Sequence, residues 1–417
     1  MKKVIVRGPA LSQSGYGEHT RFLLRSLRSQ PEVFDVYLVT ITWGQTSWVW
    51  EDNEERRWID FLLGKTVQYT QQGGQFDISL QVTVPNEFQP MAPVNIGVTA
   101  GIETTKIAPE WIEKSLGMDK IIVVSEHAKY GFDNTEYPAQ DQNGNKFNAK
   151  TTCPVEVIGY PVKNTKPKKL ELELDYDFNF LTVGTWISRK NIENTIKWFV
   201  EEFYEQEVGL VVKTSMAKNC LRDRQFTENR LKALLEEYKD RKCKIYLLHG
   251  DMSEEEMTGL YQHPKVKAIV SASHGEGFGL PLFEAAYNGL PVIAPNWSGQ
   301  CDFLYMPVKD KKGKIKSKSM FSEVAYDIKP IQDEAHWEGV IQKDSMWCYP
   351  KEWSFKKNMR SLRKSYGSHK SRAKKLQKWV IENFEESKQY QKFCDEVYQP
   401  SDEEKEWDSA VNEVQLT

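Results

Sequence analysis

The chain has 417 residues, of which 40% are hydrophobic and 12% aromatic, with a formal net charge of -3. That length exceeds one compact core and suits two ordinary domains, and the apolar fraction excludes wholesale disorder. No run approaches the roughly 18 apolar residues a membrane span needs, and the apolar run after Met1, Lys2 and Lys3 is too short for a signal peptide.

The six cysteines, Cys153, Cys220, Cys243, Cys301, Cys348 and Cys394, lie far apart with no C-x-x-C pair. That spacing fits neither a zinc motif nor a dense disulfide framework, so reduced thiols in a cytoplasm are expected.

In chain order, Val4, Ile5 and Val6 read as a buried strand, followed by a small-residue loop over 8–17. A helix-like stretch over 18–28 then sets Phe22, Leu23 and Leu27 on one face. Further short apolar runs at 36–39, 78–82, 95–98 and 120–124 are separated by helical or polar stretches. A polar Asn- and Gln-rich insertion at 138–150 reads as a surface loop, and 155–158 as one more strand. Residues 161–177 carry prolines, a lysine cluster and alternating Glu and Leu, which suits an interdomain linker.

The alternation then restarts, with strands at 180–183, 209–212, 244–248 and 266–270 and helices at 191–203, 227–239 and 254–261. Strands alternating with helices predict an α/β fold with parallel sheets covered on both faces. The expected division is a first domain over 1–165 and a second over 178–350. A helical region over 351–400, crossing back to the first domain, and an acidic tail over 401–417 complete it. Two such domains in series offer a cleft at the strand C-termini.

The most informative segment is 273–302. A strand ends near Ser271, glycines allow a tight loop, and Pro281 suits the first turn of a following helix that stops at Asn288 and Gly289. Backbone N–H groups exposed by Gly275, Gly277 and Gly279 at a helix N-terminus make an anion site suited to a diphosphate. Glu276 falls on the loop and Glu284 about one turn into the helix, so both can face one ligand from different heights. A helical carboxylate suits a ribose diol and a loop carboxylate suits sugar hydroxyls. The bland alternative is an ordinary strand–loop–helix with two solvated glutamates.

This stretch resembles the E-x7-E signature of glycosyltransferase family 4, whose members are retaining GT-B enzymes using nucleotide-activated sugars. The resemblance implies two Rossmann-like domains facing each other across a cleft, with C-terminal helices. It implies that Glu276 contacts the transferred sugar, that Glu284 holds the ribose, and that the backbone from Gly277 through Phe278 and Gly279 to Leu280 lines the phosphates. The segment 183–191 looks like the loop that supplies cations to the leaving diphosphate, with Lys190 matching the family lysine. Where the family has an arginine this chain has Thr185, so Arg189 or Lys213 is expected to compensate, unless Arg189 and Lys190 are merely a solvated pair at a helix start. Fixed cations there stabilise a leaving group that gains charge in the transition state.

On the first domain, Gly15, Tyr16 and Gly17 resemble the family's glycine-rich loop, which makes Gly17 a donor-side candidate. The same glycines could simply permit strand–helix packing. They do not match a dinucleotide fingerprint, because Thr20 occupies the third glycine position. Glu103, in the segment 100–105, is the candidate for holding the acceptor or assisting proton transfer, with a structural role as the alternative. His19, His127 and His274 fall near cleft loops, but no pair has metal-ligand spacing. No metal and no cofactor are therefore expected; the nucleotide sugar is the co-substrate. Catalysis is assigned to Glu276, Glu103 and Lys190.

The acceptor is read from charge. Residues 353–381 hold no acidic residue, while Lys356, Lys357, Arg360, Arg363, Lys364, Lys370, Arg372, Lys374 and Lys375 crowd in, and a second basic run spans 309–318. The sequence also looks like family-4 versions carried by large tailed bacteriophages. One expectation is transfer to the hydroxyl of 5-hydroxymethylcytosine in duplex DNA gripped by these two runs, in a host cytoplasm. The other is a lipid-linked or surface glycan acceptor, with the lysines as solvated helix faces. A third, of another class, is a non-catalytic nucleotide-sugar or glycan binding module.

Overall fold

The structure is a computed structural model and describes residues 1–399. The acidic tail expected over 401–417 lies outside the described residues.

Two six-stranded parallel sheets organise the chain. The first contains β1 (Lys2–Gly8), β2 (Phe34–Thr40), β3 (Ile78–Val82), β4 (Val94–Thr99), β5 (Lys120–Val123) and, after the hairpin β6 (Glu136–Gln140) and β7 (Lys146–Lys150), β8 (Val155–Val157). The second contains β9 (Asn179–Val183), β10 (Gly209–Thr214), β11 (Lys244–His249), β12 (Val266–Val270), β13 (Val292–Pro295) and, after the hairpin β14 (Tyr305–Lys309) and β15 (Ile315–Ser319), β16 (Ser322–Val324). A last antiparallel pair is β17 (Tyr326–Pro330) with β18 (Met346–Pro350). The central strands are buried on both faces, β3 along its whole length, which is why they read as continuous apolar runs rather than alternating ones.

The helices are α1 (Gly15–Arg28), α2 (Glu54–Gln71), α3 (Pro109–Ser115) and α4 (Glu126–Asn134) around the first sheet. Around the second are α5 (Ile192–Phe203), α6 (Leu221–Leu235), α7 (Glu254–Tyr261), α8 (Leu280–Tyr287) and α9 (Cys301–Leu304). Then come α10 (Glu352–Lys364), α11 (Tyr366–Asn383) and α12 (Glu386–Val397).

Strand order differs between the sheets: β2-β1-β3-β4-β5-β8 in the first and β11-β10-β9-β12-β13-β16 in the second. The direction of winding reverses between β1 and β3 in one, and between β9 and β12 in the other. In open α/β sheets such reversal points open a crevice at the strand C-termini where ligands bind.

Three expectations are corrected. The insertion at 138–150 is mostly an antiparallel hairpin, with Glu136 opposite Lys150. The basic run at 309–318 is a second hairpin. The helix expected from 227 begins at Leu221, because the Asp223 carboxylate accepts from the N–H groups of Met216, Ala217 and Lys218 and folds the preceding loop onto the first turn.

The segment 161–177 has no regular secondary structure, yet it is strapped down. Lys168 N–H donates to the Glu255 carbonyl at 2.9 Å, and Val162 N–H to the Phe384 carbonyl at 2.7 Å. Helix α12 lies on α1, where Phe393 meets Phe22 edge-on at 5.6 Å and the Cys394 thiol donates to the Ser26 carbonyl at 3.1 Å. No helix among the described residues is long and apolar enough to cross a membrane.

Candidate functional site

The loops after β9 and β12, at the second reversal point, meet the loop after β4 of the first domain, and the three bring four charged groups together. A short 3-10 turn (Ser188–Lys190) follows β9, and Asn191, at φ 52°, launches α5 from it. The loop after β12 carries Glu276, which is only 6% exposed. Both Glu276 oxygens accept from Lys190 Nζ at 2.7 Å, and Oε2 lies 3.3 Å from Arg189 Nη1. Arg189 Nη1 also reaches Glu103 of the first domain at 3.1 Å and the Gly275 carbonyl at 2.7 Å. Two cations and two carboxylates thus neutralise one another across the domain boundary. Burial alone would push the Glu276 carboxyl up, but the Lys190 and Arg189 charges outweigh it and hold it below its usual range.

The backbones of the two domains almost touch here. A Cβ on Gly277 would sit 2.8 Å from the Ala100 carbonyl oxygen, and Ser125 Oγ donates to the Gly277 carbonyl at 2.7 Å. Glycine at 277 is therefore explained by the closeness of the first domain. Gly279, at φ 93°, caps α8, with Pro281 in the first turn. The Phe278 ring does not face the cleft: it packs among Tyr160, Phe283 and Phe303 at 5.0–5.2 Å. Its side chain is thereby committed to the hydrophobic core.

Glu284, inside α8, belongs to a second group. Its carboxylate accepts from the Tyr261 hydroxyl at 2.7 Å. Burial pushes its pKa up to about 7, the Tyr261 bond opposing. Beside it Lys163 joins Glu18 of α1 at 2.8 Å and Glu254 of α7, and Arg25 also pairs with Glu18. The Glu284 charge reaches Lys213, whose Nζ donates to the Gly250 carbonyl and whose pKa burial lowers.

Glu18, Lys163, Glu254 and Tyr261 were not singled out by sequence reading. Lys163 sits in what reads as linker, and no spacing rule connects residues on three separate elements. Its one sequence signal is position, immediately before the second α/β unit.

Gly17 lies in the first turn of α1, where its N–H is already taken by the Ser14 side chain at 3.0 Å. A Cβ there would lie 1.9 Å from the Ser12 carbonyl oxygen, so the glycine answers to packing against the preceding loop. Thr185 is exposed while Arg189 is in the charged cluster. His274 is bound into the scaffold, its Nδ1 2.7 Å from the Cys348 carbonyl and its ring stacked on Trp347 at 4.9 Å. Burial drives His19 to about 3 and His127 to about 4, so both are neutral at ordinary pH. Among the described residues no His, Cys, Asp and Glu group could hold a metal ion.

Residues 163–309 match the family described as Glycosyl transferases group 1, so the second α/β unit carries a glycosyltransferase domain. Over 116 residues the chain is 33% identical to the serotype-specific mannosyltransferase WbdA of Escherichia coli, covering 28% of this chain. That alignment spans only 13% of the relative's length.

Among solved structures, the sucrose-phosphate synthase of Thermosynechococcus elongatus has a TM-score of 0.59 at 13% identity, covering 95% of this chain and 98% of that one. HepE of Anabaena, in complex with UDP and glucose, has a TM-score of 0.58 at 11% identity, covering 95% and 99%. A glycosyltransferase from Rickettsia africae has a TM-score of 0.58 at 15% identity, covering 95% and 97%. The fold is that of GT-B glycosyltransferases: two Rossmann-like parallel-sheet domains with flanking helices.

Proposed function

We propose that this chain is a retaining glycosyltransferase of family 4 that moves a sugar from a UDP-sugar to a hydroxyl of a saccharide acceptor. The observation that carries the reading is the convergence of Lys190 and Arg189 on Glu276 at the second reversal point. Support for the donor comes from neighbours of the same fold bound to UDP and glucose or to UDP-2-fluoro glucose. Support for a glycan acceptor comes from the mannosyltransferase likeness of part of the chain.

In this reading a bound diphosphate takes over Lys190 and Arg189 from Glu276. Charge then grows on the leaving phosphate as the glycosidic bond breaks, and the cations stabilise that state more than the ground state. Glu276, released from them, accepts from hydroxyls of the transferred sugar. Glu284 accepts from the ribose hydroxyls, with Lys213 shaping the adjoining loop. Backbone N–H groups from Gly277 to Leu280, with the α1 terminus near Gly17, complete the phosphate contacts. Glu103, tied to Arg189 at 3.1 Å, orients the acceptor. With the donor bound, Glu276 is engaged by the sugar hydroxyls and Glu103 keeps its contact with Arg189, so neither carboxylate is assigned as a nucleophile. Attack on the face from which the diphosphate departs, with the acceptor proton passing to that phosphate, retains configuration without a covalent enzyme intermediate.

A second reading, transfer to hydroxymethylated cytosine in DNA, draws on the β14–β15 hairpin, whose lysines at 309, 311, 312, 314, 316 and 318 are all exposed. The other basic run favours it less. Lys356 pairs with Glu201, Arg360 with Glu202 at 3.0 Å, Lys370 with the Gly289 carbonyl at 2.8 Å and Arg372 with Ser322 at 2.9 Å, so much of that charge binds the C-terminal helices to the second domain.

The test is release of nucleoside diphosphate from a panel of UDP- and GDP-sugars, with product anomers assigned by NMR. Turnover with UDP-sugars and retained configuration are expected. An inverted product or absence of turnover across the panel overturns the reading.

A further inference from the structure

We propose that the loop over 41–53, between β2 and α2, is the acceptor subsite and that it takes a saccharide by stacking on Trp48 and Trp50. The inference rests on the glycosyltransferase reading and narrows it to a substrate class. Trp48 and Trp50 are 54% and 74% exposed, although a tryptophan ring offers one of the largest apolar faces a chain can bury. They are not on a loose loop. Val49 N–H donates to the Leu11 carbonyl at 2.8 Å and Gln13 N–H to the Ser47 carbonyl at 2.8 Å, zipping the loop along the segment before α1. Ser12 Oγ and Thr46 Oγ1 share a hydrogen bond of 2.6 Å.

Two connections tie the loop to the cleft. Trp43 stacks on Tyr16 at 4.1 Å, and the Tyr16 hydroxyl bonds Thr99 at 2.8 Å, four residues before Glu103. From the opposite wall, Asn219 N–H of the second domain donates to Ser47 Oγ at 2.8 Å. The loop therefore forms one rim of the cleft, continuous with the charged cluster through Tyr16 and the segment after β4.

Charge selects the occupant. Aromatic platforms also stack nucleobases, but single-stranded nucleic acid binders pair them with a positive groove that tracks the phosphates. Residues 41–53 contain no lysine or arginine and include Glu51 and Asp52. The guanidiniums beside the loop are already committed: Arg56 to the Val49 carbonyl at 2.6 Å and Asp60 at 3.1 Å, Arg57 to Asp52 at 3.5 Å, and Arg21 to the Ala10 and Ser12 carbonyls at 2.9 Å each. An uncharged-to-acidic rim of indole rings and hydroxyls repels a polyanion and suits a neutral sugar, whose C–H faces lie on the rings while its hydroxyls find Ser and Thr partners.

The experiment titrates the full chain and its variants with mannotriose, maltotriose, a galactose trisaccharide and a short DNA duplex, measuring binding by calorimetry, with tryptophan fluorescence of the parent as a second readout. UDP binding is measured in parallel by calorimetry. The proposal expects at least one trisaccharide to perturb the fluorescence and Trp48→Ala with Trp50→Ala to weaken that binding about tenfold. It expects UDP affinity to stay within about twofold and Trp48→Phe with Trp50→Phe to restore most of the loss, because an aromatic face is kept. A response to the duplex alone, to no saccharide, or to saccharide equally in the alanine variant overturns it. Absence of UDP binding sinks the donor reading instead, while the saccharide titration still reports on the loop.

Discussion

The two reversal points of this molecule are built from different materials. At the second, between β9 and β12, Lys190, Arg189 and Glu276 meet within 3.3 Å in a nearly closed site. At the first, between β1 and β3, the loop after β1 is zipped to a rim of indole rings and hydroxyls from the 41–53 loop, with no cation in that loop. Fixed charges out of water bind an anion strongly because each is worth more there than in solvent. Rings and hydroxyls grip a neutral, weakly hydrated face. Under the proposed function the pair of sites divides the work of group transfer, one holding the part that leaves with negative charge and the other the part that receives the sugar. Glu103 and Arg189 form the seam between them.

The largest effect that would sharpen this division is at Lys190. Lys190→Ala leaves Glu276 with one cation and removes a group that matters most when the diphosphate leaves, so kcat/KM for the donor should fall by about 10²–10³. The same variant should bind trisaccharides as the parent does. Equal loss in both measurements would erase the contrast between the sites.

Next is Lys163, which joins Glu18 of the first domain to Glu254 of the second. Lys163→Met strands carboxylates that its charge and the neighbouring arginines now offset, and should cost about 3 kcal/mol of stability in denaturant unfolding. Glu18 is held well below its usual range by Lys163 and Arg25 against the opposing pull of burial. Its contribution is present above the carboxylate range and lost as pH falls, so the parent's advantage over Lys163→Met should shrink in acid. A constant difference down to low pH would place the contribution elsewhere.

Glu284 should behave with the opposite sign. Its folded pKa is raised by burial to about 7, so the folded chain holds a proton that the unfolded chain gives up near 4.3. That contribution is complete below the unfolded value and is lost as pH rises through about 7. Glu284→Gln should flatten the decline of Tm over this window and raise Tm by a few degrees near pH 8, while weakening UDP affinity about tenfold or more. Unchanged UDP affinity would remove Glu284 from the ribose contact.

The smallest effect is expected in the β14–β15 hairpin. Replacing Lys311, Lys312 and Lys314 by Gln should leave Tm and saccharide binding unchanged, since all three are exposed. A loss of transfer that scales with salt would instead favour a polyanionic acceptor.

The alternation of apolar runs and helical stretches was readable without coordinates because parallel strands buried on both faces leave a local signature. The E-x7-E segment was readable too, since loop, proline and carboxylates lie close together in sequence. The hairpin at 136–150 was not, because its polar strands are exposed and lack a buried alternation. The early start of α6 depends on one carboxylate capturing three N–H groups, which propensity does not register.

By itself the sequence determined two α/β units, the interval near 161–177 between them, and a donor candidate centred on Glu276, Glu284 and Lys190. Only the tertiary structure decided that Arg189 shares its charge between Glu276 and Glu103, that Lys163 belongs with Glu284 and Glu18, and that the tryptophan-bearing loop after β2 meets Asn219 of the second domain through Ser47. The reason is range. Strand, turn and cap are fixed by neighbours within a few positions, whereas an ion pair or an aromatic wall depends on which loops two different strand orders deliver to the same crevice.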